Sequence, residues 1–113
     1  MIKKLNSRVI FHNRTLYNTY KKLEFGNFDE KNLYKWITRA IEDLKHDAFC
    51  GLAIPKDRIP KKYLVDFDAK SIWKYDLPKA YRLIYTIEND NIEVFSIFLE
   101  WFDHKKYDKV FKY

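Results

Sequence analysis

Apolar positions recur along this chain with two different periods. Over the first half the spacing is helical. Leu16, Tyr17, Tyr20 and Leu23 share a face, and Leu33, Ile37, Ala40, Ile41, Leu44 and Ala48 follow the i, i+4, i+7, i+8 rule. Asn13 stands where the first helix needs an N-cap and Gly26 where it must stop. The second helix is predicted to start near Asn27 or Asp29 and to end at Gly51. In the last third the period is two: Tyr81, Leu83, Tyr85 and Ile87 take one face of a strand, and Arg82, Ile84, Thr86 and Glu88 the other. Strands are expected over 72–77, 81–88 and 92–101, joined by turns at Leu77-Pro78-Lys79 and Asn89-Asp90-Asn91. Val9, Ile10 and Phe11 suit a first strand. Residues 52–69 follow neither period. Pro55 and Pro60 flank Lys56-Asp57-Arg58 there, which reads as a long loop or a short helical turn lying over the sheet. A last short helix carries Tyr107, Val110 and Phe111 back to the core. The expectation is an α+β fold: two N-terminal helices packed on a mostly antiparallel four-stranded sheet, with a short C-terminal helix.

Composition narrows this picture. The 113 residues suit one compact domain, 1–113, able to bury its own core. With 47% hydrophobic and 34% charged residues, the chain is of the ordinary globular class, and 2 Gly with 3 Pro argue against linkers. Aromatic residues make up 19%, so most of them, Trp36, Trp73 and Trp101 included, must fill the core. The net charge of +6 favours polyanionic partners. Lysine doublets recur at Lys3-Lys4, Lys21-Lys22, Lys61-Lys62 and Lys105-Lys106, each of which alone reads as a solvated face. No apolar run approaches membrane-spanning length, and Met1-Ile2-Lys3-Lys4 leads into polar residues rather than a signal-peptide core. Cys50 is the one cysteine, which excludes disulfide scaffolds and cysteine-based metal sites. A cytoplasmic protein without a membrane partner is expected.

Candidate chemistry concentrates near the end. Arg82 opens an otherwise apolar strand, where a guanidinium is costly to bury, so a sheet rim or cleft is its expected place. Asp103-His104-Lys105-Lys106-Tyr107-Asp108 follows the last strand and sets an imidazole, two ammonium groups and a phenol within four positions. Cations, a group titrating near neutrality and an aromatic platform are the parts needed to hold and cleave RNA.

Ile72-Trp73-Lys74-Tyr75, Tyr81-Arg82-Leu83-Ile84-Tyr85, and His104 with Tyr107-Asp108, in this order, resemble the RelE/ParE superfamily of toxin–antitoxin ribonucleases. The resemblance runs from Val9 to the end of the chain, and the H-x-x-Y-D segment is similar to that of the HigB branch. It implies a messenger-RNA endonuclease, for many members acting on the ribosome, in which the ribose 2′-hydroxyl attacks the adjacent phosphate. It implies no metal or cofactor, and an antitoxin as protein partner. By the same resemblance Arg82 clamps the scissile phosphate and Lys74 adds a second cation. His104 protonates the leaving oxygen or removes the 2′-proton, and Tyr107 stacks on a base or donates to phosphate. Lys61, Lys62, Lys105, Lys106 and Tyr113 are supporting RNA-binding candidates. RelE itself carries a second lysine two residues beyond the first, where this chain has Asp76.

Structural readings stand beside these. Arg82 can pair with Glu93 or Glu100 on the neighbouring strand, and His104 can be a satisfied surface residue. Glu100 and Asp103 bring negative charge near His104, which favours the imidazolium form and a general-acid role. Tyr107 has helical spacing from Val110 and Phe111 and suits core packing; Cys50 suits a small buried apolar position, and His12 and His46 have no partner constellation. Three functions compete: the nuclease, a RelE-fold module that only binds RNA or an acidic protein, and a ParE-like gyrase poison. Homodimer formation is left open. For the nuclease, Lys74, Arg82 and His104 must share one concave surface of the sheet, and a one-residue bulge between Lys74 and Arg82 would break that arrangement.

Overall fold

The computed structural model describes residues 6–111. The first strand, β1 (Asn6–Phe11), leads into α1 (Arg14–Leu23) and α2 (Phe28–His46). The capping residues are those expected. Asn13 Oδ1 accepts from the Leu16 N–H at 2.8 Å, and Asn27 and Glu30 close a reciprocal capping box, at 2.9 and 3.1 Å. Gly26 makes room for that box, since a Cβ there would lie 2.7 Å from Glu30 Cβ. Lys21 and Lys22 in the last turn of α1 complement its carbonyl end.

The end of α2 departs from expectation. The helix stops at His46, five residues before Gly51, and Ala48 is buried in the turn that follows. Gly51 serves close packing instead. Its N–H donates to the Tyr85 hydroxyl at 3.2 Å while that hydroxyl donates to Ala48 O at 2.9 Å, and a Cβ on Gly51 would meet Lys74 O at 2.6 Å. Tyr85 thus ties the turn after α2 to the sheet.

The sheet has five strands, not four. Leu52–Ala53 forms β2, antiparallel to β3 (Trp73–Asp76), followed by β4 (Arg82–Asn89) and β5 (Glu93–Phe102). The order is β1-β5-β4-β3-β2, with β1 parallel to β5 and every other pair antiparallel. Two residues are too few to display an alternation, which is why β2 is silent in the sequence. The rest of the 52–69 segment holds a 3₁₀ turn at Lys56–Arg58 and α3 (Lys61–Val65), whose Tyr63 is fully buried. The final helix is α4 (His104–Phe111).

Helices cover both faces of the sheet. Against α1 and α2 lie Leu83, Tyr85 and Phe98, packed with Tyr20, Ile37 and Leu44. On the opposite face Ile84, Leu99 and Phe102 pack with Tyr63, Tyr107 and Phe111. The two faces follow from the alternation along β4. A register shift does occur, but between β4 and β5: Ile84 faces Glu100 while Tyr85 faces Phe98, which leaves Leu99 as the extra residue on β5. The β3–β4 ladder is regular, with Lys74 opposite Ile84 and Asp76 opposite Arg82, so Lys74 and Arg82 remain on one face. The turn joining these strands is a 3₁₀ turn, Pro78–Ala80, in which Lys79 and Ala80 take φ of 56° and 61°. Among the described residues no helix is long and apolar enough to cross a membrane.

The first face also carries a pH dependence. The Tyr75 hydroxyl donates to the Asp43 carboxylate, and burial, then Asp43, push its pKa from 10.0 to about 12. Burial raises Tyr20 to about 12 as well. Unfolding returns both phenols to their ordinary value. Their contribution to stability is therefore complete below pH 10.0 and lost as pH rises to about 12. The melting temperature followed by circular dichroism is expected to drop across that window, and the drop should be shallower in the Tyr20→Phe/Tyr75→Phe double variant, the remainder coming from Tyr63 and Tyr85, whose pKa values burial also raises. An undiminished drop would assign the titration to other groups.

Candidate functional site

The strand ladder brings two cations together. Lys74 on β3 and Arg82 on β4 lie two residue positions apart in the ladder, both on the face covered by α4. Their side chains are only 19% and 18% exposed. Both sit over the ring of Tyr107, with Lys74 Nζ 5.5 Å and Arg82 Cζ 5.4 Å from its centroid. That ring is held in turn by Phe111, stacked at 4.6 Å, and by Phe102 at 6.1 Å. Tyr107 therefore fills the core place that its spacing suggested, and it is in addition the platform beneath both cations, which the sequence did not predict.

Arg82 pairs with neither acid of β5. Glu93 is taken by Arg8 at 3.3 Å, and Glu100 by Lys62 at 2.8 Å. The partner of Arg82 is Asp76, directly opposite on β3. Its Oδ1 lies 3.0 Å from Arg82 Nε and 3.5 Å from Lys74 Nζ, so one carboxylate oxygen bridges the two cations. Arg82 Nη1 also donates to Tyr81 O at 3.2 Å, which fixes the guanidinium from the backbone side.

His104 opens α4 on the same side of the sheet, three residues before Tyr107, about 4.5 Å along the helix axis. Its ring is 59% exposed and Nε2 lies 3.1 Å from Asp108 Oδ2, one turn on. Asp103 is engaged as well, its Oδ1 accepting from the Lys106 N–H at 2.9 Å. The acid beside His104 is thus Asp108, while Glu100 belongs to Lys62.

The supporting lysines divide into two kinds. Lys62 is held by Glu100 and lies over the Tyr63 ring at 5.0 Å. Burial first, then Glu100, raises the pKa of the Tyr63 hydroxyl. Lys61, Lys105 and Lys106 are exposed. Lys105, Lys106 and Lys109 line one groove with Asp103, and Lys61 lines another with Arg58 and Phe111, so basic side chains flank α4 on two sides. Tyr113 and the Lys3-Lys4 doublet lie outside the described residues.

Glu100, expected as a partner of Arg82 or as negative charge beside His104, holds Lys62 instead. Chemically, the face offers two partly shielded cations on an aromatic ring and a carboxylate bridging them; the exposed imidazole of His104 stands at the start of the helix that supplies that ring. No family model, curated protein or solved structure matches the chain.

Proposed function

We propose that this chain is a RelE-like endoribonuclease, a messenger-RNA interferase that acts in the cytoplasm and is neutralised by an antitoxin. The observation that carries the reading is the seating of Lys74 and Arg82 together over Tyr107, three residues taken from the three motifs behind the RelE/ParE resemblance. The order of two N-terminal helices, an antiparallel β3–β4–β5 core and a short terminal helix supports assigning the fold to that superfamily.

In this mechanism the ribose 2′-hydroxyl attacks the adjacent phosphorus and its proton passes to solvent water. The bond to the 5′-oxygen breaks, and a 2′,3′-cyclic phosphate forms. Negative charge grows on the non-bridging oxygens, where Lys74 and Arg82 stabilise it, more strongly for being partly withdrawn from water. His104, in its protonated form, gives its proton to the departing 5′-oxygen once it leaves Asp108. Lys105, Lys106 and Lys109 guide the flanking backbone.

The bridging by Asp76 favours a second reading, a RelE-fold module that binds RNA or an acidic protein without cutting, because an acid at the phosphate seat opposes the substrate. Expression of the protein in growing cells, followed by primer extension on messenger RNA, separates the two. The nuclease arrests growth and leaves discrete transcript ends. Unimpaired growth with intact transcripts from a well-folded protein selects the binding module.

A further inference from the structure

We infer that Asp76 is a built-in counter-anion: it occupies the seat formed by Lys74, Arg82 and Tyr107 and sets how tightly that seat takes a phosphodiester. The inference rests on the reading of the seat as an RNA phosphate site and concerns an acid for which that reading has no catalytic use.

Position comes first. The regular β3–β4 register sets Asp76 opposite Arg82, and its short side chain delivers one oxygen to both cations at once. Layering comes second. The cations are 18% and 19% exposed while the Asp76 side chain is 50% exposed, so an anion arriving from solvent meets the carboxylate before it meets the cations. The third point is the quality of the contact. Arg82 Nε is shielded from solvent and has no hydrogen-bond acceptor in line with its N–H; Asp76 reaches it as a charge rather than as a bonded partner. Such a half-exposed pair is weak, and the carboxylate can swing into water at small cost. Arg82 does not depend on Asp76 for its placement, since Tyr81 O holds Nη1.

Lys74, Arg82 and Asp76 carry one positive charge together. Displacing the carboxylate exposes both cations, and a phosphate can then take the position that Asp76 Oδ1 leaves. Asp76 thereby tempers affinity for RNA at rest and yields the seat to a substrate held by further contacts, such as the flanking lysines.

The test is fluorescence anisotropy with an RNA oligonucleotide carrying 2′-O-methyl groups throughout, which can bind but cannot be cut. Asp76→Asn keeps the shape and removes the charge, and it is expected to bind about two- to fivefold more tightly than wild type. Glu88→Gln makes the same charge change roughly 20 Å away along β4 and should give no comparable gain. The gain should vanish when Asp76→Asn is combined with Arg82→Ala, with thermal melts showing each variant folded. Unchanged or weaker binding by Asp76→Asn overturns the inference, as does a gain that persists without Arg82. If Arg82→Ala weakens wild-type binding while Asp76→Asn does not tighten it, only this inference falls. If neither wild type nor Asp76→Asn binds, the RNA reading falls with it.

Discussion

Replacing Arg82 by alanine is expected to slow RNA cleavage by about 10²–10³-fold, the scale on which one preorganised donor to a developing oxyanion acts. Position accounts for the size of the effect. Arg82 is held by Tyr81 O, rests on Tyr107 and is only 18% exposed, so it pays little reorganisation as charge develops on the phosphate. Stability should change far less. Its one ion pair is with a half-exposed carboxylate, and such pairs contribute about 0–1 kcal/mol. Single-turnover cleavage together with a denaturation curve separates the two quantities. Equal cleavage by wild type and Arg82→Ala would leave a nuclease standing but place its phosphate site elsewhere.

Tyr107→Ala is expected to damage both the stability and the chemistry of this face. Tyr107 is 3% exposed, stacks on Phe111 and underlies both cations. Truncating a buried aromatic costs about 3–5 kcal/mol. In a domain of this size that lowers the melting temperature by roughly 10–20 °C. Cleavage should fall as well, because Lys74 and Arg82 lose their common floor. Tyr107→Phe is the informative companion, since it keeps the ring and both cation contacts. Its melting temperature should lie well above that of Tyr107→Ala, and its remaining differences from wild type in melting and cleavage then report what the hydroxyl contributes. Should Tyr107→Ala melt like wild type, the ring would not be a structural support of this face.

Much of this arrangement was legible in the sequence, and the limits of legibility are physical. Asn13 and Asn27 announced α1 and α2 because capping is local chemistry, decided within four residues. The alternation along β4 placed Arg82 on the face opposite Leu83 and Tyr85 because pleat parity is equally local. What escaped depends on contacts distant in sequence. β2 exists because Leu52 and Ala53 meet Lys74 and Trp73 across the sheet, and nothing within a two-residue strand reports that. Gly51 resembles a helix stop; it is instead the point where Tyr85 and the Lys74 carbonyl come too close for a side chain. In sequence the acids of β5 suit Arg82 as partners, yet Arg8 and Lys62 take Glu93 and Glu100. Lys62 comes from α3, in the segment whose pattern was weakest, so the competition for Glu100 could not be seen in advance. Asp76 was visible as an acid in a place where RelE carries lysine; its bridging of two cations required the register.

The central claim, that Lys74, Arg82 and His104 promote attack by a ribose 2′-hydroxyl, is tested most directly by the chemistry of the fragment ends. Purified protein is incubated with a defined transcript, free and ribosome-bound, and the products are resolved by mass spectrometry. The account predicts upstream fragments ending in a 2′,3′-cyclic phosphate, downstream fragments beginning with a 5′-hydroxyl, and no cut where the scissile nucleotide is 2′-deoxy. Fragments with 3′-hydroxyl and 5′-phosphate ends, or cleavage that persists at the deoxy position, would contradict it.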